Sequence, residues 1–82
     1  MSYEIRWSPQ SLKILNKLPQ NDAERILSKL DDITIYPFRY LEHYEGGEYY
    51  KLRIGKFRAL IKVDGKILFI EVFDKRSRIY RK

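Results

Sequence analysis

At 82 residues the chain is long enough for one domain, because a second would have no core of its own. Hydrophobic residues at 44% and aromatic residues at 15% argue against a disordered chain, although 34% of the residues are charged. The absence of cysteine removes disulfides, thiolate catalysis and thiolate metal sites, and a formal net charge of +6 points to a polyanionic partner.

The charge is unevenly placed. Residues 1–36 hold five basic and five acidic residues, whereas residues 37–82 hold twelve basic and six acidic ones, so the whole excess lies in the second half. Such a surplus suits RNA or DNA. The plainer reading is a solvated basic surface, or one shielded by an acidic protein partner. MSYEIRW lacks the apolar core of a signal peptide, and no stretch approaches the ~20 apolar residues of a membrane span. A cytoplasmic protein without membrane contact is the simplest expectation.

In chain order, Tyr3-Glu4-Ile5-Arg6-Trp7 alternates apolar and polar residues, which predicts a half-buried strand with Tyr3, Ile5 and Trp7 inward. Ser8-Pro9 reads as an N-cap followed by proline at the first helical position, where its missing N–H costs nothing. Leu12, Leu15, Leu18 and Ile14 give a short helix its apolar side, and Pro19 stops it. Asn21 or Asp22 is placed to cap a second helix, with Ala23, Ile26, Leu27, Leu30, Ile33 and Thr34 as its apolar stripe. Pro37 biases Tyr36 out of the helical region and closes it. The short Leu18–Asn21 link predicts an antiparallel helical hairpin. Asp31-Asp32 suggests a metal site only weakly, since adjacent helical positions diverge.

Residues 37–47 read as a connecting loop. His43 is the only histidine and has no companion ligand there, so a solvated loop position is the better reading. Gly46-Gly47 reads as a turn rather than a phosphate cradle. In residues 49–54, Tyr50, Leu52 and Ile54 share one face while Tyr49, Lys51 and Arg53 share the other. Gly55-Lys56 makes a tight turn, and Phe57, Ala59, Ile61 and Val63 then alternate with Arg58, Leu60 and Lys62. Asp64-Gly65 signals a two-residue hairpin, and residues 66–73 are apolar almost throughout, as for a central strand covered on both faces. The order β-α-α-β-β-β predicts an α+β domain over residues 1–82, an antiparallel sheet with a helical hairpin on one face. The N-terminal strand joins the sheet beside a partner the sequence leaves open.

Lys51 and Arg53 lie two residues apart, about 7 Å along a strand, and Arg58 falls across the hairpin from them. Lys75, Arg76 and Arg78 follow the last strand, and Tyr80 comes four residues after Arg76. These cations suit a nucleic-acid backbone, and Tyr49, Tyr50 and Tyr80 suit stacking on exposed bases. A basic sheet face with half-buried tyrosines is the bland alternative.

Three stretches, Tyr50-Lys51-Leu52-Arg53, Lys56-Phe57-Arg58-Ala59-Leu60-Ile61 and Val72-Phe73-Asp74-Lys75-Arg76-Ser77-Arg78-Ile79-Tyr80-Arg81, resemble the RelE/ParE toxin superfamily. The likeness extends to the opening strand, the helical hairpin and the chain length. It implies a RelE-like fold and a toxin of a type II toxin–antitoxin system. The RelE branch consists of ribosome-dependent mRNA endoribonucleases that use neither metal nor cofactor, the ribose 2′-OH attacking the adjacent phosphate in the ribosomal A site. The resemblance then gives Lys51 and Arg53 positions near the 2′-OH and phosphate, and Arg58 a contact to the scissile phosphate. It gives Arg76 transition-state stabilisation and Tyr80 stacking on the substrate nucleotide. Lys56, Lys75, Arg78, Arg81 and Tyr50 complete the implied RNA contacts. RelE proteins often carry lysine where this chain has Arg53, and a guanidinium is a poor general base, which leaves Lys51 as the candidate. Implied partners are mRNA, the ribosome and a RelB-like antitoxin, the last in a heterodimer or heterotetramer. The ParE branch, non-enzymatic inhibitors of DNA gyrase, and a catalytically degenerate RNA-binding homologue are the alternatives.

Overall fold

A computed structural model describes residues 2–44 and 47–75. The elements are β1 (Glu4–Trp7), α1 (Pro9–Asn16), α2 (Gln20–Ile33), a 3-10 turn (Pro37–Arg39), β2 (Glu42–His43), β3 (Tyr50–Ile54), β4 (Phe57–Asp64) and β5 (Ile67–Lys75). The sheet runs β1-β5-β4-β3-β2. The expected α+β architecture holds, and β1 finds its partner in β5, to which it runs parallel, so the sheet is mixed. The other pairings are antiparallel.

Both helices lie over one sheet face. Leu15 of α1 and Ile26, Leu30 and Ile33 of α2 close a core with Leu52, Ile54, Phe57, Ala59, Ile61, Leu68, Ile70 and Phe73. Trp7 packs edge-on against Phe73, ring centroids 5.5 Å apart, and Tyr3, Ile5 and Trp7 all face inward as their alternation requires. The helical stripes are narrower than the sequence suggests. Leu12 and Leu27 remain 42% and 45% exposed, because the layer is only two short helices deep and each buries a single row of residues.

Ser8 caps α1 as expected: its hydroxyl accepts the Ser11 N–H at 3.1 Å, and Pro9 takes the first helical position. The cap of α2 differs. The helix starts at Gln20 behind Pro19 with no side-chain cap, and Asp22 lies in its first turn, where a negative charge suits the helix N-terminus. Residues 37–44 hold more regular structure than a plain loop, containing the 3-10 turn and the short edge strand β2. His43 is exposed on β2, edge-on to Tyr50 at 5.0 Å.

Gly55 and Gly65 have φ of 58° and 59°, and no described non-glycine residue has positive φ. Glycine in the first central position, followed by lysine at ordinary φ, marks both hairpins as type II′-like. The second turn is therefore Gly65-Lys66 and not Asp64-Gly65. Asp64 belongs to β4, paired with Ile67.

One irregularity breaks the β4–β5 ladder. Leu60 pairs with Val72 and Ile61 with Ile70, so Glu71 is an extra residue, a β-bulge. The hydroxyls of Ser8 and Ser11 lie 2.8 and 3.0 Å from the Glu71 carbonyl oxygen, fastening the start of α1 to the bulge. With Ile70 and Phe73 both in the core, Glu71 and Val72 together occupy the place of one outward residue.

Candidate functional site

The sheet face turned away from the helices carries the candidate residues. Register places Arg53 opposite Arg58, and Arg58 opposite Asp74 on its other side. One row along, Lys51 lies between Glu42 and Leu60, with Val72 beyond Leu60. Lys51, Arg53 and Arg58 thus share one face across a two-stranded hairpin, as the alternation requires. Arg53 is exposed, Lys51 half-buried, and Arg58 only 5% exposed.

The surroundings of these cations differ. The Lys51 ammonium is 4.0 Å from the Glu42 carboxylate and 5.8 Å from the centre of the Tyr44 ring. Glu42 has no motif to betray it in the sequence, since it sits in a stretch too short and irregular to read as a strand. Asp74, opposite Arg58, was visible only as part of the terminal basic run, and the paired register gives it its place. The Asp74 carboxylate accepts the Lys75 N–H at 2.7 Å.

Lys56 is exposed in the β3–β4 turn and Lys75 at the end of β5, where it pairs with Phe57 in register. Tyr50 does not join the set. Its register partner Ile61 is in the core, and its ring meets Phe38 at 5.6 Å on the helical side of the sheet. The neighbouring Tyr49 lies with its ring centre 5.9 Å from the Lys62 ammonium. Arg76, Arg78, Tyr80 and Arg81 lie outside the described residues.

Farther along the same face, Arg6, Phe69 and Lys62 form a row across β1, β5 and β4. Arg6 Nε donates to Glu4 at 2.8 Å, and this hydrogen bond, with the attached Coulomb attraction, holds the Glu4 carboxyl below its ordinary range. Lys62 pairs with Glu48 at 4.0 Å. A cavity of about 530 Å³ opens here.

Chemically, the Arg53–Arg58 pair offers fixed positive charge where phosphate oxygens would be stabilised, with the Lys51 amino group one row away. A mixed five-stranded sheet with two helices on one face is the fold shared with solved RelE toxin structures. The toxin–antitoxin complex RelBE2 of Mycobacterium tuberculosis contains a chain that superposes with a TM-score of 0.80, at 22% identity, over 93% of this chain and 100% of that one. The archaeal RelE–RelB complex of Pyrococcus horikoshii OT3 gives 0.78 at 25% identity, over 95% and 99%. The isolated E. coli RelE toxin gives 0.74 at 23% identity, over 96% and 92%. No curated protein matches by sequence. The family model of the ParE toxin of type II toxin–antitoxin systems, parDE, matches residues 5–80. The chain belongs to this toxin family, within the RelE/ParE superfamily.

Proposed function

We propose that this toxin is a ribosome-dependent endoribonuclease that cuts mRNA in the A site and so blocks translation. The observation that carries the reading is the convergence of Lys51, Arg53 and Arg58 on the face left free by the helices, with Arg53 directly opposite Arg58. Strand pairing sets the two arginines on facing positions, where one phosphate can be reached by both side chains.

In the proposed reaction the ribose 2′-oxygen bonds to the adjacent phosphorus as its proton passes to Lys51, which acts as the neutral amine. The bond from phosphorus to the 5′-oxygen breaks, leaving a cyclic phosphate, and the leaving oxygen takes a proton from water to become a 5′-OH, while the proton held by Lys51 returns to solvent. Arg53 and Arg58 hold the phosphate and answer the charge that builds on its equatorial oxygens. Arg76 and Tyr80 retain the transition-state and stacking roles that the family resemblance gives them. The protein uses no metal for this step. Its partner is a RelB-like antitoxin, as in the RelE–RelB complexes of similar fold, presenting an acidic amphipathic segment to the basic surface.

A second reading, inhibition of DNA gyrase without cleavage, is favoured by the ParE description of the matching family model. Transcript mapping after induction separates the two. Cleavage within translated codons, lost in Arg58→Ala and lowered about 10²-fold or more in Lys51→Ala at unchanged ribosome binding, supports the nuclease. Intact transcripts accompanied by DNA-damage signalling overturn it.

A further inference from the structure

Beyond the three phosphate-directed cations, the open face carries a second, chemically different feature. The 530 Å³ cavity is lined by Arg6, Lys62, Ile67, Phe69, Asp64 and Glu71. Its volume falls inside the ~300–1,000 Å³ typical of small-molecule clefts. Phe69 and Ile67 are half-buried and give it an apolar floor, with Arg6 and Lys62 on either side of Phe69 in the sheet register. Asp64, Glu71 and Glu48 add carboxylates to the wall, the last 4.0 Å from the Lys62 ammonium.

This composition narrows the ligand. A phosphate group alone would meet three carboxylates, and a metal ion would meet two cations. A planar heterocycle with both donors and acceptors meets neither objection: it stacks on Phe69 while its edge finds charged donors and acceptors around it. The bulge supplies an independent observation. Without the extra residue, strict alternation between Ile70 and Phe73 would leave room for one outward side chain. The bulge provides two, and Ser8 and Ser11 fix its carbonyl, so Glu71 is aimed at the cavity by a built backbone feature.

We propose that this cavity is a nucleobase subsite that takes cytosine or adenine and rejects uracil. With Arg6 and Lys62 engaged by Glu4 and Glu48, the remaining carboxylates accept from the exocyclic amine of cytosine or adenine, whereas uracil presents a carbonyl oxygen at the corresponding position, so that acceptor faces acceptor. The proposal deepens the nuclease reading and rests on it for the source of the base: the subsite would hold a neighbour of the cleaved nucleotide. Lys62 is four residues along β4 from Arg58, about 13 Å at the usual strand rise, within reach of the same RNA strand.

Cytidine and uridine monophosphates make the test, since they share ring, ribose and phosphate and differ in the amine against the carbonyl. The full-length chain is titrated with each and followed by amide NMR shifts. We expect shifts centred on Phe69, Lys62 and Glu71, with cytidine monophosphate binding about tenfold tighter, a modest share of what one base-edge contact supplies. Glu71→Gln, whose amide can donate to the uracil oxygen, brings the ratio toward one, and Asp64→Asn compresses it, while Asp31→Asn on the exposed far side of α2 leaves it unaltered. Equal affinities, shifts confined to Lys51, Arg53 and Arg58, or no binding of either nucleotide overturn the proposal. Intact transcripts together with a retained cytosine preference would overturn the nuclease reading and leave the subsite standing.

Discussion

Removing both hydroxyls that grip the bulge should cost far more than the two removals taken singly. Ser8 is 9% exposed and Ser11 0% exposed, and their oxygens lie 2.9 Å apart. Each hydroxyl has one proton, so the two serve at most two of the three contacts among Ser8 Oγ, Ser11 Oγ and the Glu71 carbonyl. In Ser11→Ala the Ser8 hydroxyl still donates to that carbonyl, and the loss is one hydrogen bond, about 1 kcal/mol. In Ser8→Ala the helix cap goes, again about 1 kcal/mol, but Ser11 keeps the carbonyl satisfied. The double variant strips the carbonyl of both donors and adds roughly 1–3 kcal/mol, bringing the total to about 3–5 kcal/mol. Urea unfolding followed by Trp7, the only tryptophan and the residue next to Ser8, reads all three variants on one probe. Unchanged m-values would license the comparison. Additivity within about 0.5 kcal/mol would refute the shared-acceptor argument.

Two smaller predictions test the frame. Gly55→Ala meets no atom within 4 Å, so its cost is backbone strain at positive φ alone, about 1–2 kcal/mol, read as a drop in Tm of several degrees. On α2, Leu30→Ala should lose ~2–5 kcal/mol of stability in denaturant melts, whereas Leu27→Gln stays within about 0.5 kcal/mol, because the first residue is 4% exposed and the second 45%.

The parts of the fold legible in the sequence are those where local rules and the core agree. Ser8-Pro9, the Gly55-Lys56 turn and the alternation in β4 each state one structure at the level of a few residues. The β1–β5 pairing was illegible because parallel partners are joined by long connections that carry no turn signal. The bulge at Glu71 hid for a different reason: residues 66–73 are so apolar that period-2 alternation is blurred, and an inserted residue leaves no mark in the pattern. Leu12 and Leu27 misled because helical spacing reports which side is apolar but not how wide a stripe the neighbours can cover. Of the site, Lys51, Arg53 and Arg58 were readable from strand period and turn length. Glu42 and the Phe69 cavity depend on which strands meet, and pairing order is a tertiary property.

Arg58 separates what stability asks of the open face from what function asks. Its side chain stands at 5% exposure in β4 between Arg53 and Asp74, while its neighbours Phe57 and Ala59 point into the core. Removing a guanidinium from water costs several kcal/mol, and its partners at best repay that cost. An apolar residue of similar volume would serve the sheet at least as well, and the adjacent outward positions Leu60 and Val72 are apolar. A second arginine directly across the hairpin adds repulsion that no packing requirement explains. Local conflict of this kind, inside an otherwise consistent sheet, is the pattern expected where a functional demand overrides stability. It supports the proposal that the Arg53–Arg58 pair, more than any single motif residue, is where the RNA phosphate docks on this face.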